Sequence, residues 1–219
     1  MDDRYIRIQN LTDYHMNDFL TCPLTFWRKH IEKKSKEQVS DQDLFDHAVK
    51  GVVRDYFSLP VEARSADKIH HLIWNRRNKD QVLAPLTNHL SPSLLNDRDQ
   101  QPLFLYEKMS VSVPEWEIQL TMTVPLAFWT GDSFTIKKFV LHENPEFTRS
   151  WSFFCIFFCR QAFGRIPTKL ELISLSTGSS TTMVPTEADI FHSKDYLELL
   201  KESMKDPSMY FNHYPKLAQ

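Results

Sequence analysis

The stretch EWEIQLTMTVPLAFWTGDSFTIKKFVLHE, residues 115–143, predicts two adjacent β-strands joined by a tight turn. Apolar and polar residues alternate along its first part, as they do in a strand with one buried face. The expected buried face carries Trp116, Ile118, Leu120, Met122 and Val124. Residues 125–129, PLAFW, continue that run, and Gly131 in the turn favours a positive φ. Residues 134–143, FTIKKFVLHE, then form the partner strand.

Upstream of this hairpin the sequence has helical periodicity. Thr12 is the expected N-cap of a first helix, and Pro23 ends or bends that helix. The second predicted helix, DQDLFDHAVKGVVRDYFSL (residues 41–59), has apolar side chains on one face. Further helices are expected over residues 66–77 and around residues 80–90.

Downstream of the hairpin, RSWSFFCIFFCRQAFG (residues 149–164) is apolar almost all round, which predicts a buried helix. Gly164 is its expected C-terminal cap. Two more strands are expected over residues 169–178 and 179–187. An amphipathic helix follows, with Ser193 as its expected N-cap.

This order of elements predicts an α/β fold. A mixed sheet with helices on both faces buries every apolar stripe. With 219 residues, the chain fits a single domain, residues 1–219. We expect a mainly helical part over residues 1–100, a sheet core with the buried helix over residues 101–192, and a C-terminal helix and tail over residues 193–219.

The charge balance excludes a strongly basic nucleic-acid-binding protein. The net charge is −2 at pH 7, and the four glycines form no Gly-rich phosphate loop. Local basic clusters remain, among them Arg28 with Lys29 and Arg76 with Arg77. Each cluster is interpreted either as a solvated helix face or as part of a groove that follows a phosphate backbone.

Cysteine usage and hydropathy point to a cytoplasmic protein. Three cysteines make no disulfide framework, and Cys155 and Cys159 lie in an apolar run where thiols pack as small hydrophobes. The first ten residues lack the apolar core of a signal peptide. The longest apolar run, residues 151–159, is too short to cross a bilayer, so no membrane partner is expected.

Four stretches resemble the RecB/AddB-type nuclease domain of the PD-(D/E)XK superfamily. They are LTDYHMNDFLTCPLTFWRKHI (residues 11–31), DHAVKGVVRDYF (46–57), YEKMSVSVPEWEIQLTMTVPLAFW (106–129) and SFFCIFFCRQAFGRIPTKLELISLSTG (152–178). The resemblance implies a restriction-endonuclease-like mixed sheet flanked by helices. It also implies a role in DNA repair, recombination or another DNA-processing pathway.

The positions that carry chemistry in that family are altered in this sequence. The family histidine falls on Lys50, the first catalytic acid on Pro125, the second acid on Lys138 and the catalytic lysine on Val140. In the active enzymes, carboxylates at the two acid positions hold Mg²⁺. Pro125 and Val140 offer no ligand, and Lys138 repels a dication. The resemblance therefore implies a catalytically inactive homologue without a metal or other cofactor.

An alternative is an active, metal-dependent DNA exonuclease whose acidic site has moved. Glu107 and Glu143 are the candidate acids, and Lys137 or Lys138 is the candidate lysine. Such a site would use Mg²⁺ or Mn²⁺. The alternation of a strand argues against it, because Lys138 is expected on one face and Lys137 with Glu143 on the other.

The expected function is binding of nucleic acid, or scaffolding and regulation of a DNA-processing complex. The expected partners are DNA or a protein of such a complex. Residues expected to contact nucleic acid are Arg28, Lys29, Lys50, Arg76, Arg77, Lys137 and Lys138. A third hypothesis is a protein-interaction protein without nucleic-acid binding, which predicts an exposed apolar patch around Tyr210, Phe211 and Tyr214.

Overall fold

A six-stranded mixed sheet forms the centre of the structure, a computed structural model in which residues 6–33, 41–77 and 87–211 are described. The strands are β1 (Asn10–Thr12), β2 (Phe104–Val113), β3 (Ile118–Thr130), β4 (Ser133–Val140), β5 (Lys169–Ser174) and β6 (Ser180–Met183). β4 pairs with β5 in parallel, and β5 pairs with β6 in an antiparallel manner. The predicted α/β fold with a mixed sheet is confirmed.

Strand β3 is the centre of the topology because three strands pair with it. β2 lies antiparallel along one edge, over residues 118–127 of β3. The other edge is shared: β1 pairs in parallel with residues 119–121, and β4 pairs antiparallel with residues 126–130. The ends of β1 and β4 therefore approach each other along β3, and residues 122–125 pair with neither of them.

Helices cover both faces of this sheet. They are α1 (Asp13–Thr21), α2 (Pro23–Phe26, continued by a wider turn over Trp27–Ile31), α3 (Asp41–Phe57), α4 (Ala66–Arg77), α5 (Thr87–Asn96), α6 (Pro145–Phe163), α7 (Glu187–Lys205) and α8 (Ser208–Phe211). One face packs against α1, α2, α6, α7 and α8, and the other against α3, α4 and α5. In the described part of the chain, no helix combines the length and the hydropathy needed to cross a membrane.

Helix α6 is the buried helix that the sequence predicts. It begins earlier than expected because Asn144 caps it, its side chain accepting hydrogen bonds from the backbone N–H groups of Glu146 and Phe147. It ends at Gly164, whose φ of 69° is the left-handed conformation that glycine adopts at low cost. Cys155 and Cys159 are fully buried in it and are free thiols.

In both β2 and β3 the alternation of side chains shifts by one residue at the same level of the sheet. On β3, Ile118 to Val124 pack towards α6, whereas Leu126 and Phe128 pack towards α3. Residues 125–129 continue the strand as predicted, but the alternation shifts by one residue, because Ala127 packs towards α6. The change occurs at Pro125, opposite Tyr106 of β2, which adopts a left-handed φ of 55°. A left-handed residue disturbs the regular alternation of side chains along a strand.

One helix prediction is wrong at its N-cap, and another lies partly outside the described part of the chain. Ser193 does not cap the C-terminal helix, because α7 begins at Glu187 and Ser193 is buried inside it. The cap is Thr186, whose backbone N–H donates to the Asp189 carboxylate at 2.7 Å. The helix predicted around residues 80–90 is observed over Thr87–Asn96, and residues 80–86 lie outside the described part of the chain.

Tyr210 contradicts the predicted apolar patch at the C-terminal end. Its side chain is fully buried against the aromatic rings of Phe19, Phe26 and Trp27. Its hydroxyl donates a hydrogen bond to the carbonyl of Met204. The side chain of Phe211 and all of Tyr214 lie outside the described part of the chain. Tyr210 therefore joins α8 to the core instead of presenting an exposed surface.

Arg64 holds the α3–α5 layer together. The side chain is 4% exposed and its guanidinium donates hydrogen bonds to two separate segments. The acceptors are the carbonyls of Phe57, Leu59, Arg98 and Gln100 and the side chain of Gln101. These bonds connect the end of α3 to the segment that leads into β2.

We expect Arg64→Ala to lower the free energy of unfolding by about 3 kcal/mol, because it leaves several buried carbonyls without a donor. Urea denaturation measures this change. Arg98→Ala is the matched control, since the side chain of Arg98 is 58% exposed and pairs only with Asp99 among the described residues. A loss at position 64 no larger than at position 98 would contradict the assigned role.

Candidate functional site

A cleft of about 230 Å³ lies where β1 and β4 approach each other along β3. Its lining includes Asp13, Asp46, Lys50, Tyr106, Pro125 and Lys138. α1 begins at Asp13, directly after β1, and α3 supplies Asp46 and Lys50. The walls therefore come from both helical layers, and the uncovered segment of β3 forms the floor.

Three of the four positions that resemble the family's catalytic set meet in this cleft. Lys50, Pro125 and Lys138 all line it, although they lie on α3, β3 and β4. The fourth position, Val140, is not among the lining residues and is buried in the apolar layer between the sheet and α6. The cleft thus has two ammonium groups, those of Lys50 and Lys138, in its lining.

Lys138 is held in place by an acid and two aromatic rings. Its Nζ lies 3.4 Å from Oδ2 of Asp13. The same Nζ lies 5.3 Å from the ring centre of Phe147 and 5.6 Å from that of Trp151. The side chains of Lys138 and Asp13 are only 17% and 5% exposed. The ammonium group is therefore partly withdrawn from water, and an internal carboxylate balances its charge.

Lys50 lies on the opposite wall in a different environment. Its Nζ is 5.8 Å from the ring centre of Tyr106, and the side chain is half-buried. Among residues 6–33, 41–77 and 87–211, no carboxylate forms an ion pair with it. Burial, and then the negative charge of Asp46, raise the pKa of Tyr106 above its usual range, so its hydroxyl stays protonated. Lys50 is the cation in the cleft with the least internal compensation.

The donor groups in the cleft do not form a metal site. Asp13, Asp46 and His47 line it. Within the described ranges, however, no three His, Cys, Asp or Glu side chains are close enough together to hold a metal ion. Asp13 is already engaged by Lys138. The cleft therefore combines two carboxylates, those of Asp13 and Asp46, with two ammonium groups, those of Lys50 and Lys138.

The two acids of the migrated-site alternative lie elsewhere. Glu107 is exposed on β2, and neither it nor Glu143 lines the cleft. Glu143 follows β4 and accepts hydrogen bonds from the hydroxyls of Ser179 at 3.1 Å and Thr181 at 2.6 Å. These bonds fix the turn before β6, so Glu143 has a structural contact at the far side of β5.

Lys137 lies on the opposite face of β4 from Lys138, as the alternation predicts. Its Nζ is 2.6 Å from Asp97 and 3.5 Å from Glu171, and the side chain is 12% exposed. Burial by itself would raise the pKa of Glu171, but Lys137 and Lys169 hold it below its usual value. The structure therefore places Lys137 in an internal ion-pair network and not in the cleft.

The remaining candidate cations lie outside the cleft, and two of them have acidic partners. Lys29 is 3.2 Å from Asp18, and Arg76 is 2.6 Å from Asp55. Arg28 is exposed on the turn after α2. Arg77 is the last residue of α4, and its side chain is outside the described part of the structure. The described side chains of Arg28, Lys29 and Arg76 are not among the lining residues of the cleft, although the guanidinium of Arg76 packs against Gly51, the residue after Lys50.

The sequence prediction missed the acidic and aromatic members of the cleft. The sequence contained a signal for Asp13, because this acid directly follows Thr12, the expected N-cap. In the structure the Thr12 side chain does cap the helix, since it accepts a hydrogen bond from the backbone N–H of His15. Asp46 lines the cleft one helical turn before Lys50. Tyr106 had no signal, since its place in the cleft follows from a left-handed backbone conformation inside a strand.

A histidine pair lies beside the cleft on α1 and the turn after α2. The ring of His15 lies 4.4 Å from that of His30, centre to centre, and His30 is 2.6 Å from Asp18. Nδ1 of His15 donates to the carbonyl of Asn10 at 3.0 Å. Burial, and then the charge of His30, lower the pKa of His15 to about 4.

The chain matches no protein-family model and none of the curated proteins. The resemblance to the RecB/AddB-type nuclease domain therefore remains a prediction.

The lowered pKa of His15 predicts a loss of stability in acid. Between pH 6.5 and pH 4 the unfolded chain binds a proton at His15 that the folded chain does not, so stability falls as the pH decreases through this range. We expect a contribution of up to about 3 kcal/mol. The His15→Asn variant keeps an N–H donor but does not titrate, so it should lose less stability than the wild type between pH 7 and pH 4.

Urea denaturation at the two pH values measures the difference. His192→Asn is the control, because His192 is exposed on α7. Equal acid sensitivity of His15→Asn and the wild type would contradict the assigned pKa.

Proposed function

We propose that this protein binds nucleic acid through the cleft and does not cut it. One observation carries the proposal: Lys50 and Lys138 come from distant parts of the chain and meet in a single cleft. The family that the sequence resembles places metal ligands at these positions. The ammonium group of Lys50, which has no ion-pair partner among the described residues, supplies positive charge for a phosphate without the means to activate water.

The two walls offer different contacts to such a ligand. Lys50 provides a cation without an ion-pair partner in the described ranges, so its charge is available to a phosphate. Tyr14, also in the lining, is 48% exposed. An exposed aromatic ring is a common platform for an unpaired base. Lys50 and Tyr14 both line the cleft, so we propose a phosphate at Lys50 and a base near Tyr14.

Cutting would require groups that the cleft does not combine. Hydrolysis in this superfamily uses carboxylates that hold a metal ion and a lysine that steadies the attacking water. Here Pro125 and Val140 replace two of those groups, and Asp13 is paired with Lys138. The role that we propose is that of a cytoplasmic protein which binds DNA within a DNA-processing complex and does not cut it.

Fluorescence polarisation of an end-labelled DNA oligonucleotide in low salt tests this function. We expect the polarisation to rise with protein concentration and then remain constant in time, both with EDTA and with Mn²⁺. Lys50→Ala should weaken binding about tenfold, because one charge-assisted contact of about 1.5 kcal/mol is lost. Lys194→Ala, on α7 and not among the lining residues, is the matched control.

A decrease of polarisation with time in Mn²⁺ alone would show cutting and overturn the proposal. Equal affinity of Lys50→Ala and the wild type would move binding, if present, away from the cleft.

A second candidate function is protein scaffolding, which the outer face of α7 favours. Phe191 and Leu199 are 71% and 70% exposed on this helix. Exposed apolar side chains of this size are common at protein interfaces. A Phe191→Ser/Leu199→Ser variant should then lose proteins that co-purify with the wild type, at an unchanged thermal midpoint and unchanged DNA affinity. Identical co-purification would remove this candidate.

A further inference from the structure

We propose that Asp13 is a built-in competitor of the nucleic-acid phosphate, because it occupies Lys138 and thereby limits the affinity of the cleft. This inference rests on the proposed function. It assigns different roles to the two lysines of the cleft: Lys50 binds the ligand in the resting protein, and Lys138 contributes only when the charge of Asp13 is removed or displaced.

The contacts around Lys138 leave little of its charge for a ligand. Oδ2 of Asp13 lies 3.4 Å from Nζ, within the range of an ion pair. The ring centres of Phe147 and Trp151 lie 5.3 Å and 5.6 Å from the same Nζ. A phosphate that enters the cleft therefore meets Lys138 beside an existing anion, and the two negative charges repel each other.

Asp13 is fixed in this position by the elements on either side of it. It directly follows β1, where Leu11 is fully buried and pairs with Leu120 of β3. It also lies in the first turn of α1, which Thr12 caps. A carboxylate at the N-terminal end of a helix is stabilised by the helix dipole. The negative charge is therefore retained near Lys138 by the fold and does not depend on Lys138 alone.

Removal of this charge has a measurable consequence. The side chain of Asp13→Asn has nearly the same shape but no charge, so Lys138 becomes available to a phosphate. We expect the variant to bind a single-stranded oligonucleotide about tenfold more tightly, a change of about 1.4 kcal/mol. One additional phosphate contact also steepens the dependence of log K on log salt by about 0.7 for a single strand.

The experiment measures the affinity of an end-labelled single-stranded DNA oligonucleotide in EDTA at several salt concentrations. Wild type is compared with Asp13→Asn and with the double variant Asp13→Asn/Lys138→Gln. Asp67→Asn is the matched control, because Asp67 is an exposed acid in the first turn of another helix, α4. The control changes the net charge equally, so it reports any general electrostatic effect.

The proposal expects tighter binding and a steeper salt dependence for Asp13→Asn alone, with both gains lost in the double variant. An affinity of Asp13→Asn equal to that of the wild type, or an equal gain in Asp67→Asn, overturns the inference but leaves the proposed function standing. Absence of binding by the wild type and every variant overturns both.

Lys138→Gln in the wild-type background gives a second measurement that holds even when Asp13→Asn does not fold. Because Asp13 occupies Lys138, this change should weaken binding less than twofold, against about tenfold for Lys50→Ala. A loss at Lys138 as large as that at Lys50 overturns the proposed role of Asp13.

Discussion

The candidate site depends on one constraint: β1 and β4 share a single edge of β3, and neither strand covers its whole length. β1 and β4 end towards each other on this edge, so the residues that follow or finish them, Asp13 and Lys138, are brought together. The uncovered segment of β3 contains Pro125, which has no backbone N–H to leave unpaired. At the same level Tyr106 adopts a left-handed conformation, and the alternation of side chains shifts in both strands. The gap, the shift in alternation and the cleft are therefore one local feature of the sheet.

Charge is balanced locally at four of the seven basic residues predicted to contact nucleic acid. Lys29, Arg76, Lys137 and Lys138 each lie within 4 Å of a carboxylate. This agrees with a chain whose net charge is −2, and it explains why counting lysines and arginines gives little information about a binding surface. What distinguishes one lysine from another is its partner, and partners such as Asp13 and Asp97 are distant in sequence from the lysines that they neutralise.

Local signals in the sequence predicted most helices and strands. The features that the sequence could not predict depend on contacts between residues far apart in the chain. The hairpin with Gly131, the cap at Thr12 and the buried helix ending at Gly164 all follow from neighbouring residues, and the structure contains each of them. Ser193 was a poor cap prediction because Thr186 with Asp189 starts the helix earlier. The burial of Tyr210 depends on rings far away in sequence. The resemblance pointed to Lys50, Pro125 and Lys138, but the acids of the cleft follow only from the meeting of β1 with β4 and of α3 with the sheet.

The two walls of the cleft belong to different layers of the protein. Asp13 and Lys138 are anchored with α1 and α6, whereas Asp46 and Lys50 belong to the α3–α5 layer that Arg64 ties together. A ligand that contacts both walls would therefore bridge the two layers. Part of its binding free energy would oppose local opening of the α3–α5 layer. Occupancy of the cleft and the stability of this layer against local unfolding are therefore thermodynamically linked.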